Sequence, residues 1–295
     1  MKDGSPMKKH LVRIYSSIFL LLILGGCAKL ALRLSPSLVA DFKNVIFEEC
    51  DLEMARHAIP AHIKLLEGLL KSDPENRHVL LALCQGLSGY SMLFVENEAP
   101  ERASGLYLRA RAFGIKALGK RGEPLRNVKA LGKDIDAILK SFSEDDMEAL
   151  FWVTLSWNAW VNLNLDKPAA IAHLPVLDAC VQKITELNGD YMYGLPWVLM
   201  GTTLAARPPL FGGDLKRAKD TFEQAMELSR GHFFLVQYYY ARYYAVGVQD
   251  KQLFLKLIHA IIEGDPKALK DVCLINAVIQ TRAEELKTQT DELFF

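Results

Sequence analysis

The chain has 295 residues, 51% of them hydrophobic, with 35 basic and 35 acidic side chains. That apolar content can fill a sizeable core and excludes a disordered chain. The basic residues Lys2, Lys8, Lys9 and Arg13 precede Ile14 against Asp3 alone, so the remainder is mildly acidic and offers nucleic acid no electrostatic attraction.

The first predicted element is "MKKHLVRIYSSIFLLLILGGC", from Met7: a cationic start, an apolar run from Ile14 to Leu24, then Leu24-Gly25-Gly26-Cys27. A bilayer core needs about 20 apolar residues and this run is roughly half that, which is signal-peptide length. The ending matches the bacterial lipobox, whose small residues admit a peptidase and whose Cys27 becomes the acylated N-terminus. The expectation is therefore a signal peptide over 1–26, an acylated tether over 27–36, and a single helical domain over 37–295 working in the periplasm. Ala28, not Asp, follows the cysteine, which leans the anchor toward the outer membrane. Cys50, Cys84, Cys180 and Cys273 are widely spaced with no Cys-x-x-Cys, so no zinc site is predicted. An oxidising compartment permits disulfides, but each sits among apolar helical residues and reads as a small buried hydrophobe.

Past residue 35, apolar residues recur at steps of three and four with short breaks, which predicts an all-α chain. Ala103, Tyr107 and Ala110 make one helix face of small, aromatic and small residues, followed by an inserted helix near 125–141 in a glycine-loosened stretch. "SEDDMEAL" (143–150) places acids where a helix dipole favours them and reads as a solvated face. Trp197, Met200, Gly201 and Leu204 share one helix face, and Ala218, Phe222 and Ala225 share the next, a tetratricopeptide pattern interrupted by the loop "ARPPLFGG". Gly212 and Gly213 turn the chain and Asp214 caps the following helix. Neither a preceding strand nor a following Lys-Ser or Lys-Thr supports a phosphate cradle there. Polar turns closing apolar helices recur at 69–74, 184–190, 225–231 and 260–266, predicting four to five degenerate hairpins stacked into a compact α-solenoid, with a C-terminal helix near 267–290.

No chemistry-bearing motif emerges. His-Glu-x-x-His and Gly-x-Ser-x-Gly are absent, and His57 and His62 lie five apart, off the spacing that presents two metal ligands together. The reading is a non-enzyme with no metal and no cofactor. The aromatics carry more information. If Trp152 takes the place that Trp197 has in its repeat, then Trp157 and Trp160 fall on the opposite face of their helix, and the same register sends Phe234 and Tyr244 there. In tetratricopeptide stacks that face lines the concave surface, making these four the candidate ligand or partner residues; the alternative is that they pack beneath neighbouring helices.

With these features together, the chain resembles the T-component lipoproteins associated with tripartite ATP-independent periplasmic (TRAP) transporters. The resemblance rests on "AIPAHIKLLEGLLKSDPEN", "LFWVTLSWNAWVNLNLD", "ARPPLFGGDLKRAKDTFEQAMELS" and "YYARYYAVGVQDKQLF". It implies an acylated periplasmic homotrimer that docks a solute-binding P-component and passes a hydrophobic ligand. A second hypothesis is an outer-membrane lipoprotein scaffold whose repeats hold a peptide or an envelope protein.

Overall fold

The computed structural model describes residues 36–127 and 134–295. Cys27, the 1–26 segment and the tether up to residue 35 lie outside the described residues. Among the described residues every regular element is helical. The chain opens with α1 (Pro36–Glu48), α2 (Leu52–Ser72) and α3 (Arg77–Tyr90), the last running into a π-helical turn, Ser91–Val95. After α4 (Pro100–Ala117) come the short α5 (Ile135–Leu139), the long α6 (Glu144–Asn162) and the short α7 (Pro168–Ile171). Then follow α8 (Leu174–Asn188), α9 (Tyr191–Ala206), α10 (Leu215–Ser229) and α11 (Phe234–Tyr239), which continues through a second π-helical turn, Tyr240–Ala245. The chain ends with α12 (Lys251–Ile262), α13 (Cys273–Thr288) and α14 (Thr290–Leu293).

Side-chain caps set several of the starts. Asp51 accepts from the Glu53 and Met54 amides ahead of α2, Asn76 from Val79 ahead of α3, and Asp250 from Leu253 ahead of α12. Each satisfies a backbone donor that a helix leaves open. Neighbours in sequence pack pairwise: α2 on α3, α3 on α4, α4 on α6, α6 on α8, α8 on α9 and α9 on α10. The C-terminal half continues with α11, α12 and α13, and α13 returns to pack on α1 and α2. The two ends of the array therefore meet. One apolar cluster runs from Val39 in α1 to Leu286 in α13.

Two expectations need correction, and a third falls partly outside the described residues. Of the inserted helix expected near 125–141, the described residues show a 3-10 turn, Glu123–Arg126, and the five-residue α5; 128–133 lie outside the described residues. The C-terminal helix starts at Cys273, later than expected, because two 3-10 turns, Pro266–Ala268 and Lys270–Val272, occupy the approach. Cys50 and Cys273 are not two separate buried hydrophobes but a disulfide, with Cα atoms 5.3 Å apart across 223 residues of sequence. Helical periodicity cannot report such a pairing, which exists only because α13 folds back to the α1–α2 corner. Cys84 and Cys180 do stay buried thiols, and burial pushes both up to about 12.

The acid-rich start of α6 also departs from the solvated reading. Asp146 is buried and accepts from the Ser143 amide at 3.1 Å, while Arg121 and Arg77 approach it at 2.9 and 3.7 Å. Both guanidiniums come from segments distant in sequence.

Candidate functional site

The Gly-Gly-Asp approach to α10 is structural. Gly212 takes φ +86°, and a Cβ on Gly213 would sit 1.8 Å from the Arg207 carbonyl oxygen. The loop's own carbonyls take the amide protons a phosphate would need: Gly212 donates to Pro209, Gly213 to Pro208 and Asp214 to Leu204. Asp214 then accepts from the Arg217 amide at 3.0 Å. Behind the loop, Arg207 is buried and pairs with Asp178. Leu210 is left 88% exposed at the tip.

Ala218, Phe222 and Ala225 are all buried where α10 packs on α9. Gly201 makes that approach close: a Cβ there would meet Thr221 Oγ1 at 2.8 Å and the Phe222 ring at 3.0 Å. Trp197 lies over Gly189, where a Cβ would come within 2.6 Å of its indole nitrogen.

The four aromatics chosen as binding residues are placed differently from expectation. Trp157 and Phe234 are buried, whereas Trp160 and Tyr244 are half-buried. The reason is that α6 packs against α3, α4 and α8, with Trp157 on a covered side, while the side of α6 that stays open carries Leu155 and Asn158 instead. Trp157 donates its indole proton to His173 Nδ1 at 2.7 Å, with the Arg111 guanidinium 4.0 Å over its ring. Trp160 packs 5.3 Å from the same histidine ring. Phe234 starts α11, its amide held by Asn276 Oδ1 at 2.9 Å and its ring pressed on Gly264. Tyr244 stacks near Tyr240, ring centroids 5.3 Å apart. None of the four lines the cleft described next.

That cleft, of about 620 Å³ counting its open mouth, is assembled from α4, α6, α9, α11 and the two π-helical turns. Its apolar wall includes Leu155, Leu195, Val198, Leu199 and Leu235; its polar lining includes Glu96, Tyr107, Asn158, Thr202, Tyr239 and Tyr243. Widened helical turns recur at functional sites because they displace side chains from the regular register, and here the turns lie beside Glu96 and Tyr239. Tyr107, expected only as the large residue of a small-aromatic-small face, donates its phenol proton to Glu96 Oε2. Burial pushes the Glu96 carboxyl up, opposed by that hydrogen bond and by Arg282 and Arg242 nearby. Arg282 itself donates to the carbonyls of Met92, at 2.7 Å, and Leu93, at 3.1 Å, which ties α13 to the first π turn. Burial also pushes the Tyr239 and Tyr243 phenols up. Sequence reading missed this constellation because its members are scattered from residue 92 to 243 and no local spacing links them.

One wall of the cleft depends on a strained turn. Met192, Tyr193 and Gly194 take φ of 44°, 58° and 86°, so the residues entering α9 follow a left-handed path. Two phenols pin it. Tyr191 donates to Glu148 at 3.0 Å, and Tyr193 lies 2.7 and 2.9 Å from the two carboxylate oxygens of Asp271. Although burial pulls the other way, Lys43, Gln85 and Tyr191 hold the Glu148 carboxyl below the usual range. A second, apolar pocket of about 450 Å³ lies under α1, lined by Phe47, Ile59, Ala82 and Leu93 among others. Among the described residues no group of three or more His, Cys, Asp or Glu is placed to hold a metal.

Comparison with known proteins agrees with this architecture. Residues 48–294 match the TRAP transporter T-component family. A protein of Treponema pallidum (strain Nichols), described only as an uncharacterized protein, is 24% identical over 274 residues, covering 86% of this chain and 84% of that relative. Since the matched span takes in the cleft, the close α9–α10 contact and the Gly-Gly-Asp approach, the chain belongs to the TRAP transporter T-component family, a transporter accessory family and not an enzyme family.

Proposed function

We propose that this chain is the lipid-anchored periplasmic docking subunit of a TRAP-type transporter, engaging a solute-binding P-component and passing a hydrophobic ligand through the central cleft. The observation that carries the reading is the family match over nearly the whole helical body, together with a cleft whose wall includes five aliphatic side chains. A predominantly apolar concavity with a few convergent polar groups is what small-ligand sites have in common. The periplasmic location is supported by the Cys50–Cys273 disulfide, since such bonds persist in oxidising compartments. It is also what the Leu-Gly-Gly-Cys27 sequence would produce once cleaved and acylated. The pairwise-packed helices with small-aromatic-small faces support a degenerate tetratricopeptide origin, and the family resemblance a homotrimer.

The test is a pull-down with the tagged full chain from detergent-solubilised cells, reading out proteins and extractable small molecules by mass spectrometry. Recovery of a periplasmic solute-binding protein with a bound apolar molecule is the expected result. Recovery of outer-membrane assembly proteins in its place would overturn the docking reading in favour of an envelope scaffold.

A further inference from the structure

Resting on the ligand-passing reading above, the composition of the cleft narrows what it can accept. Its walls do not form a uniformly oily slot. Glu96 lines the cleft with one carboxylate oxygen, Oε2, taken by Tyr107, while Oε1 makes no hydrogen bond among the described residues. The Tyr239 hydroxyl is likewise uncommitted. Asn158 accepts from Arg207 at its oxygen at 3.4 Å, and its amide nitrogen has no acceptor among the described residues. These groups face an aliphatic wall of Leu155, Leu195, Leu199 and Leu235. Polar atoms gathered in a half-buried cleft cost free energy unless something pairs with them, so a ligand with a complementary head gains what the empty cleft lacks.

The sign of the head follows from which charges line the cleft. Arg282 and Arg242 are near Glu96 but neither lines the cleft: Arg282 donates to the Met92 and Leu93 carbonyls and Arg242 approaches the Tyr238 hydroxyl. Among the described residues that line the cleft, Glu96 is the only charged side chain. We propose that the cleft selects an amphiphile whose apolar body lies on the leucine wall and whose head donates a hydrogen bond to Glu96, an alcohol or an amine and not a carboxylate. A carboxylate head would set its charge against the Glu96 oxygen in a poorly screened site, whereas a donor head makes a charge-assisted bond.

Native mass spectrometry of the full chain released from detergent, offered decanol, decylamine and decanoate separately at equal concentration, tests this. The wild type is expected to retain the alcohol and the amine about tenfold better than the carboxylate, and Glu96→Gln to bring that ratio close to one. Equal retention of all three by the wild type, or a ratio that Glu96→Gln leaves unchanged, overturns the head-group selectivity while leaving the cleft as a binding site. Two fillers on different helices that line the cleft, Leu199→Trp on α9 and Ala159→Phe on α6, separate that from failure of the cleft itself. Loss of all three probes in whichever filler keeps its helical content supports the cleft, and undiminished retention in a folded filler overturns it.

Discussion

His173 accepts the Trp157 indole proton at Nδ1, 2.7 Å away, and so must be unprotonated there to hold the tryptophan. Burial, with Arg111 adding its charge, holds the His173 pKa below the ordinary 6.5. A histidine depressed in the fold binds protons more readily when unfolded, so its contribution is present above pH 6.5 and is lost as pH falls through the depressed value. The melting temperature is therefore expected to decline on acidification below 6.5, before carboxylates such as Glu148 protonate, and His173→Gln to flatten that limb; an identical profile in the variant would remove His173 from the account. On α10, which packs closely on α9, Ala218 is fully buried one turn before Phe222, so Ala218→Trp overpacks a close helix pair. A loss of at least about 1–3 kcal/mol in denaturant unfolding is expected, and an unchanged midpoint would mean the small-aromatic-small face is not the contact.

At the scale of elements, the entrance to α9 is where the backbone is strained, and the Cys50–Cys273 corner is where distant parts of the chain are tied together. Gly194 sits at φ +86° with a would-be Cβ 3.2 Å from the Ala225 Cα, so Gly194→Ala combines a disfavoured conformation with a backbone approach that cannot yield. Destabilisation by roughly 1–2 kcal/mol or more is expected, measured as a shift in the unfolding midpoint at constant slope. The Cys50–Cys273 bond ties the α1–α2 corner to the start of α13. Its removal by Cys50→Ala should cost about 2–4 kcal/mol. Thiol labelling of the denatured, unreduced chain should reach Cys84 and Cys180 but not Cys50 or Cys273; labelling of all four would disprove the pairing. The helices themselves were legible in sequence because three-and-four periodicity and caps such as Asp214 are local. Which helix would be enclosed was not. The register placed Trp157 on the open face of α6, whereas packing by neighbouring helices covers that side and leaves Leu155 and Asn158 to line the cleft.

For the whole molecule, the determining feature is that α13 returns to α1 and α2, so that Arg282 reaches the first π turn beside the cleft, whose own lining residues come from both halves of the chain. Of the cleft, Tyr107 was visible in sequence as part of a helix face, but Glu96, Asn158 and Tyr239 lie far apart along the chain and signal nothing until the helices converge. The family resemblance rested on four stretches spread along the chain, one of them holding the Pro-Pro-Leu-Phe-Gly-Gly-Asp loop that leads from α9 into α10. The central claim, that this body is a docking subunit of a transporter, is tested most directly by cross-linking mass spectrometry on intact cells that express the full chain. Cross-links from its exposed lysines to a periplasmic solute-binding protein are the predicted result. Cross-links confined to outer-membrane assembly proteins, with the solute-binding protein detected but unlinked, would contradict it.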